Sequence, residues 1–197
     1  MHISEGILSG KVLGIGAGIT LAGTFIGIKD LKFDDYPKVS LLTSAFFVAS
    51  LIHVPIGPTS THLVLNGLCG IILGWKTFPS ILLALFLQAI LFQFGGLTTL
   101  GVNTTNMAIP AIISYYLFRP FLKKSYFITG FFSGFFSIVF SSLLVCFSLY
   151  FTEKHFLNLA KTIFIANLPI AIIEGIITGF ILTFLSKTKK EIIWGEK

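Results

Sequence analysis

Apolar residues run along the chain in long blocks rather than in the short-period rhythm of an amphipathic helix. Blocks of this kind suit a bilayer, whose hydrocarbon core takes about 20 helical residues to cross. The pattern predicts spans at about 8–28, 40–55, 60–74, 78–94, 103–118, 127–152 and 162–186. The segments between them are too short to hold a soluble catalytic module. The expected architecture is an all-α, polytopic membrane helix bundle of about seven transmembrane spans. Residues 1–197 then form a single membrane-embedded domain.

Only 11% of residues are charged, against about a quarter in a soluble domain. The net charge of +6 does not mark a nucleic-acid surface, because the basic residues sit in the gaps between apolar blocks. One side of the membrane collects Lys29, Lys32, Lys38, Lys76, Arg119, Lys123, Lys124, Lys187, Lys189, Lys190 and Lys197. The other holds Lys154 and Lys161, with Lys11 at the head of the first helix. Eleven against three is a positive-inside bias. It predicts the N-terminus outside and the C-terminus cytoplasmic. The start MHISEGILSG lacks a basic region, so no cleaved signal peptide is expected. Beside a residue as bulky as His2, Met1 should be retained, leaving a free amine followed at once by an imidazole.

Small-residue pairs at Gly14/Gly18, Gly70/Gly74, Gly130/Gly134 and Gly175/Gly179 predict close helix packing, within the chain or against another membrane subunit. Cys69 and Cys146 read as small core residues, since no closely spaced cysteine pair exists.

Polar residues within apolar blocks are costly and mark sites or pathways. The stretch LIHVPIGPTSTHLVLNG contains His53, Thr59, Ser60, Thr61, His62 and Asn66, with Pro55, Gly57 and Pro58 breaking the helix on the outer side. FQFGGLTTLGVNTTNM contains Gln93, Thr98, Thr99, Asn103, Thr104, Thr105 and Asn106, and ANLPIAIIEG contains Asn167 and Glu174. Glu174 is expected to hold a structural hydrogen bond within the bundle, and His155 to be solvated.

The first two residues suggest a specific chemistry. The Met1 amine, the deprotonated amide nitrogen of His2 and the His2 Nδ1 can chelate one metal through a five- and a six-membered ring. One corner of the square stays open, and another imidazole would fill it, the geometry of Ni(II) or Cu(II) nitrogen sites. His62 is the preferred donor. His53 is the second choice, as an axial ligand or a supporting group. Ser60, Asn66, Thr99 and Asn103 are expected to pack around these ligands.

At these residues the sequence resembles the CbiM/NikM family. The resemblance rests on MHISEG at the start, HVPIGPTSTHLVLNGLCGIILG at 53–74, GGLTTLGVNTTNM at 95–107 and NLPIAIIEGIITGF at 167–180. These are the substrate-binding membrane components of energy-coupling-factor (ECF) transporters for cobalt and nickel, and HVPIGPTSTH looks closer to the cobalt branch. The resemblance implies a metal site of the Met1 amine, the His2 amide and ring, and His62. It implies ATP-driven Co²⁺ import for cobalamin biosynthesis. The implied partners are a transmembrane coupling protein, ATPase subunits and a small membrane subunit. Phe94 departs from it where many relatives carry histidine, and Asn167 stands where some do. No cofactor of its own is expected, the ligand being transported Co²⁺ or Ni²⁺.

The chain lacks GxxxxGK[ST], so it cannot supply a phosphate-binding loop, and it reads as a transporter subunit rather than an enzyme. Two rival readings are an intramembrane enzyme using His53, His62 and Glu174, and a vitamin-binding subunit. The first lacks HExxH. The second leaves the terminal chelate without a purpose.

Overall fold

The computed structural model describes residues 2–56 and 59–194, with 53–56 and 59–61 described by their backbone. Its helices are α1 (Gly10–Lys29), α2 (Tyr36–Ala49), α3 (Asn66–Leu73), α4 (Thr77–Phe92), α5 (Leu100–Phe118), α6 (Tyr126–Thr152), α7 (Leu157–Thr188) and the short α8 (Lys190–Trp194). Between α2 and α3 lies a two-stranded antiparallel hairpin, β1 (His53–Ile56) and β2 (Thr59–His62).

Local chemistry sets several of these boundaries. Pro37 lies in the first turn of α2, where its missing N–H costs nothing. Ser125 caps α6, its Oγ accepting from Ile128 N at 3.3 Å. Among the described residues, four stretches are long and apolar enough to cross a membrane: Gly10–Lys29, Asn66–Phe92, Tyr126–Thr152 and Lys154–Thr188.

The expected helix at 60–74 is corrected. Residues 59–62 are a strand, and α3 has only eight residues, about 12 Å of helix. The hairpin meets the backbone demand there locally, pairing His53 with His62, Val54 with Thr61, Pro55 with Ser60 and Ile56 with Thr59.

Glycines carry the closest helix contacts, although not all those expected. A Cβ on Gly130 would stand 2.8 Å from Gly179 Cα, and one on Gly134 would stand 2.6 Å from Glu174 O. Gly175 and Gly179 press equally closely on Phe131 and Phe127, so α6 and α7 meet backbone to backbone. Gly70 packs against Ala111. On α1 the packing glycines are Gly16, Gly23 and Gly27, against Val102, Phe78 and Trp75. Gly14 and Gly18 face open space, so that pair does not pack within the chain.

The bundle is inverted relative to a soluble fold. Phe25, Leu21 and Phe151 are exposed, whereas Asn66, Gln88, Asn103, Asn106 and Glu174 are buried. Such a distribution suits an apolar solvent outside and hydrogen-bonded polar groups within.

Candidate metal centre

The segment ahead of α1 folds back along the first turn of α5. Ile3 N donates to Asn103 Oδ1 at 3.0 Å, and Asn103 Nδ2 donates back to Ile3 O at 3.1 Å. One side-chain amide thus holds residue 3 as a neighbouring strand would. Asn103 also donates to Thr99 Oγ1 at 3.2 Å, and Thr99 in turn donates to Gly96 O at 3.4 Å.

Two residues further on, Glu5 N donates to Gly95 O and the Glu5 carboxylate accepts from Thr98 N, both at 3.0 Å. The Thr98 amide is the main reason that the Glu5 carboxyl lies below its ordinary range. Gly95 and Gly96 take φ of +74° and +133°, a region that side chains disfavour. A Cβ on Gly96 would also collide with the Glu5 side chain.

These clamps deliver His2 to His62. The two rings stack with centroids 4.7 Å apart and planes 28° apart, and His2 Nδ1 stands 2.9 Å from His62 Nε2. His62 is buried at the end of β2. The outer nitrogen of each ring faces an oxygen. His2 Nε2 is 2.9 Å from Gln88 Oε1, and His62 Nδ1 is 3.1 Å from Leu63 O.

Those two oxygens decide the tautomers. A backbone carbonyl only accepts, so His62 carries its hydrogen on Nδ1 and offers a lone pair at Nε2. The orientation of the Gln88 amide is set from behind: its Nε2 donates to Ser50 Oγ at 2.5 Å, and Ser50 donates to Phe47 O at 2.7 Å. A hydrogen on His2 Nε2 would suit Gln88 Oε1 and leave a lone pair on His2 Nδ1 as well. In those tautomers the lone pairs of His2 Nδ1 and His62 Nε2 face one another across 2.9 Å, where a cation could accept both.

Glu174 supports this centre from α7. It is fully buried, and its carboxylate accepts from Val64 N and from Leu65 N, the latter at 3.0 Å to one oxygen and 3.1 Å to the other. Leu65, at the head of α3, has φ of +56°. The Leu65 amide is one of the unsatisfied N–H groups at the start of α3, where negative charge is favoured. Glu174 thereby fixes the chain two residues beyond His62.

Thr99 and Asn103 hold the N-terminal segment. Asn66 donates to Ser141 Oγ at 2.9 Å and Met107 O at 3.3 Å, and accepts from Ser137 Oγ at 2.9 Å, tying α3 to α5 and α6. His53 pairs with His62 through the backbone of the hairpin. Met1 and the side chains of His53 and Ser60 lie outside the described residues. The Phe94 ring stands 6.1 Å from His2, so the position that departs from the family pattern borders the centre. Gln88 and Ser50 are the residues that sequence reasoning missed. The available signal was a lone glutamine inside the apolar run FLQAILF.

Fold and centre together define a multi-pass membrane protein with a buried polar site at one end, built from its own N-terminus. Residues 2–192 match the family described as the cobalt uptake substrate-specific transmembrane region, and the chain belongs to that family. A Haemophilus influenzae protein provisionally named a metal transport protein is 40% identical, over 98% of this chain and 97% of its own. The cobalt transport protein CbiM of Thermosipho melanesiensis is 32% identical, over 100% and 91% of the two chains. A crystal structure of a transition metal transporter superposes with a TM-score of 0.87 at 27% identity, covering 99% of this chain and 96% of that one.

Proposed function

We propose that the chain is the metal-binding membrane subunit of an ATP-driven, ECF-type cobalt importer that supplies Co²⁺ for cobalamin biosynthesis. Family membership supports cobalt, and the His2–His62 pair supports direct metal capture. Metal–imidazole bonds run about 2.0–2.1 Å, so nitrogens at adjacent corners of a square stand about 2.9 Å apart. The 2.9 Å between His2 Nδ1 and His62 Nε2 suits that edge as well as a hydrogen bond, and the fold's bringing the second residue of the chain against His62 carries the reading.

In the complete site, the Met1 amine, the His2 amide nitrogen and His2 Nδ1 occupy three corners, and His62 Nε2 takes the fourth. His53 stands by as an axial or supporting group, and Ser60, Asn66, Thr99 and Asn103 brace the ligands. A square of nitrogens also suits Ni²⁺, which makes nickel the second reading.

The chain is embedded as α1 to α7 in about seven passages, the third made by the short α3 together with the hairpin ahead of it, with the N-terminus outside and the C-terminus cytoplasmic. Metal enters from the outer side. A transmembrane coupling protein, ATPase subunits and a small membrane subunit complete the transporter, and ATP hydrolysis there opens the bundle inward. Turnover belongs to those subunits, and this chain acts as a carrier rather than an enzyme.

Cobalt uptake by cells expressing the whole transporter tests the reading. His62→Ala should abolish uptake while the protein still reaches the membrane in normal amount, and His53→Ala should weaken it less. Normal uptake by a well-expressed His62→Ala variant would remove the assignment. The reverse ranking would exchange the two histidines.

A further inference from the structure

We propose that Gln88 is a positioning residue for metal capture, acting by fixing which ring nitrogen of His2 carries the hydrogen. This rests on the reading of His2 as a ligand. A neutral imidazole has two tautomers, and only one leaves Nδ1 free to join the terminal chelate. With the hydrogen on Nδ1, His2 would donate straight to His62 Nε2 across the same 2.9 Å. That closed pair satisfies both nitrogens and excludes the metal. The choice between the open and closed pair therefore falls to whatever faces His2 Nε2.

Gln88 Oε1 occupies that position at 2.9 Å and can only accept. Its amide nitrogen donates to Ser50 Oγ, which donates to the carbonyl of Phe47, and this orientation turns Oε1 toward His2. The polarity runs one way from α2 through α4 to the metal-facing nitrogen. Gln88 is fully buried in a stretch of α4, residues 81–92, that is otherwise apolar, a costly placement that packing alone does not require. Groups behind a metal-bound histidine set its orientation and basicity in this manner.

The test compares Gln88→Met, which keeps the length and loses the acceptor, with Gln88→Glu, which keeps an acceptor. Co²⁺ and Ni²⁺ are titrated into each purified full-length protein in lipid nanodiscs, and thermal unfolding is recorded without metal. Gln88→Met should bind roughly 10–100-fold more weakly, whereas Gln88→Glu should stay within a few-fold of the parent at a similar unfolding temperature. Equal affinity of Gln88→Met and the parent would overturn the proposal. So would equal weakening of both variants with a matching loss of stability, the mark of a packing role. Nitrogen-15 NMR of His2 in the metal-free parent supplies a readout independent of either variant. It should report hydrogen on Nε2, and a population carrying it on Nδ1 would also overturn the proposal. If His2→Ala binds both metals as tightly as the parent, the ligand assignment itself falls and takes the proposal with it.

Discussion

His2 and His62 meet nitrogen to nitrogen across 60 positions of chain, and at this scale the site was partly legible. The proposed terminal chelate needs only two adjacent residues, and His62 stands out as an imidazole beside a helix break. Gln88 did not stand out, because its meaning depends on a partner 86 positions away. Nothing in FLQAILF states which ring nitrogen that glutamine will face. Neutral imidazole is the coordinating form, and its ordinary pKa is about 6.5. Protons therefore compete for the lone pairs, and affinity for Co²⁺ should fall as the pH drops through about 6. An equilibrium titration from pH 7.5 to 5 checks this, and flat affinity across that range would exclude histidine ligation.

Among the elements, the long apolar helices α1, α6 and α7 were readable from hydrophobic run length alone. The region between α2 and α4 was not. Pro55, Gly57 and Pro58 signal a break, yet a run-length criterion counts through residues 60–74 as one helix. What delays the start of that helix to Asn66 is the hairpin and the carboxylate of Glu174, contributed by α7 about 110 positions later. Glu174 had been expected to make a structural bond, but the groups it would satisfy were not visible in sequence. Glu174→Ala should leave the Val64 and Leu65 amides buried without their acceptor, at about 1–3 kcal/mol each. Thermal unfolding should register that loss, and metal affinity should drop because the chain beyond His62 is no longer held. Glu174→Gln, which keeps one carbonyl acceptor, should lose less of both. A Glu174→Ala protein equal to the parent in stability and affinity would contradict the role given to α7.

For the whole molecule, charge and packing act together. Asp35 joins Lys76 at 2.5 Å and Lys38 at 3.2 Å, linking the start of α2 to the turn before α4. Partial burial opposes ionisation of this carboxyl, but the Lys76 bond, the Lys32 amide and Lys38 outweigh it and bring its pKa to about 2. These residues lie on the side that the lysine count assigns to the cytoplasm. The metal centre gathers Ser50 from the end of α2, Gln88 from α4 and Asn103 from the start of α5, at the opposite end. Cysteine labelling in intact cells, in a background lacking Cys69 and Cys146, tests this polarity. Glu153→Cys should react with a membrane-impermeant maleimide, and Lys123→Cys only after permeabilisation. The opposite pattern would invert the topology.

The central claim is that one metal is held jointly by the folded-back N-terminus and the hairpin. A double-mutant cycle of Co²⁺ affinity with His2→Ala, His62→Ala and the combined variant, all in purified protein, measures it most directly. Ligands of one site act as a unit, so each single substitution should remove nearly all high-affinity binding and the second should add little. Losses that simply add, or parental affinity in either single variant, would contradict a shared site.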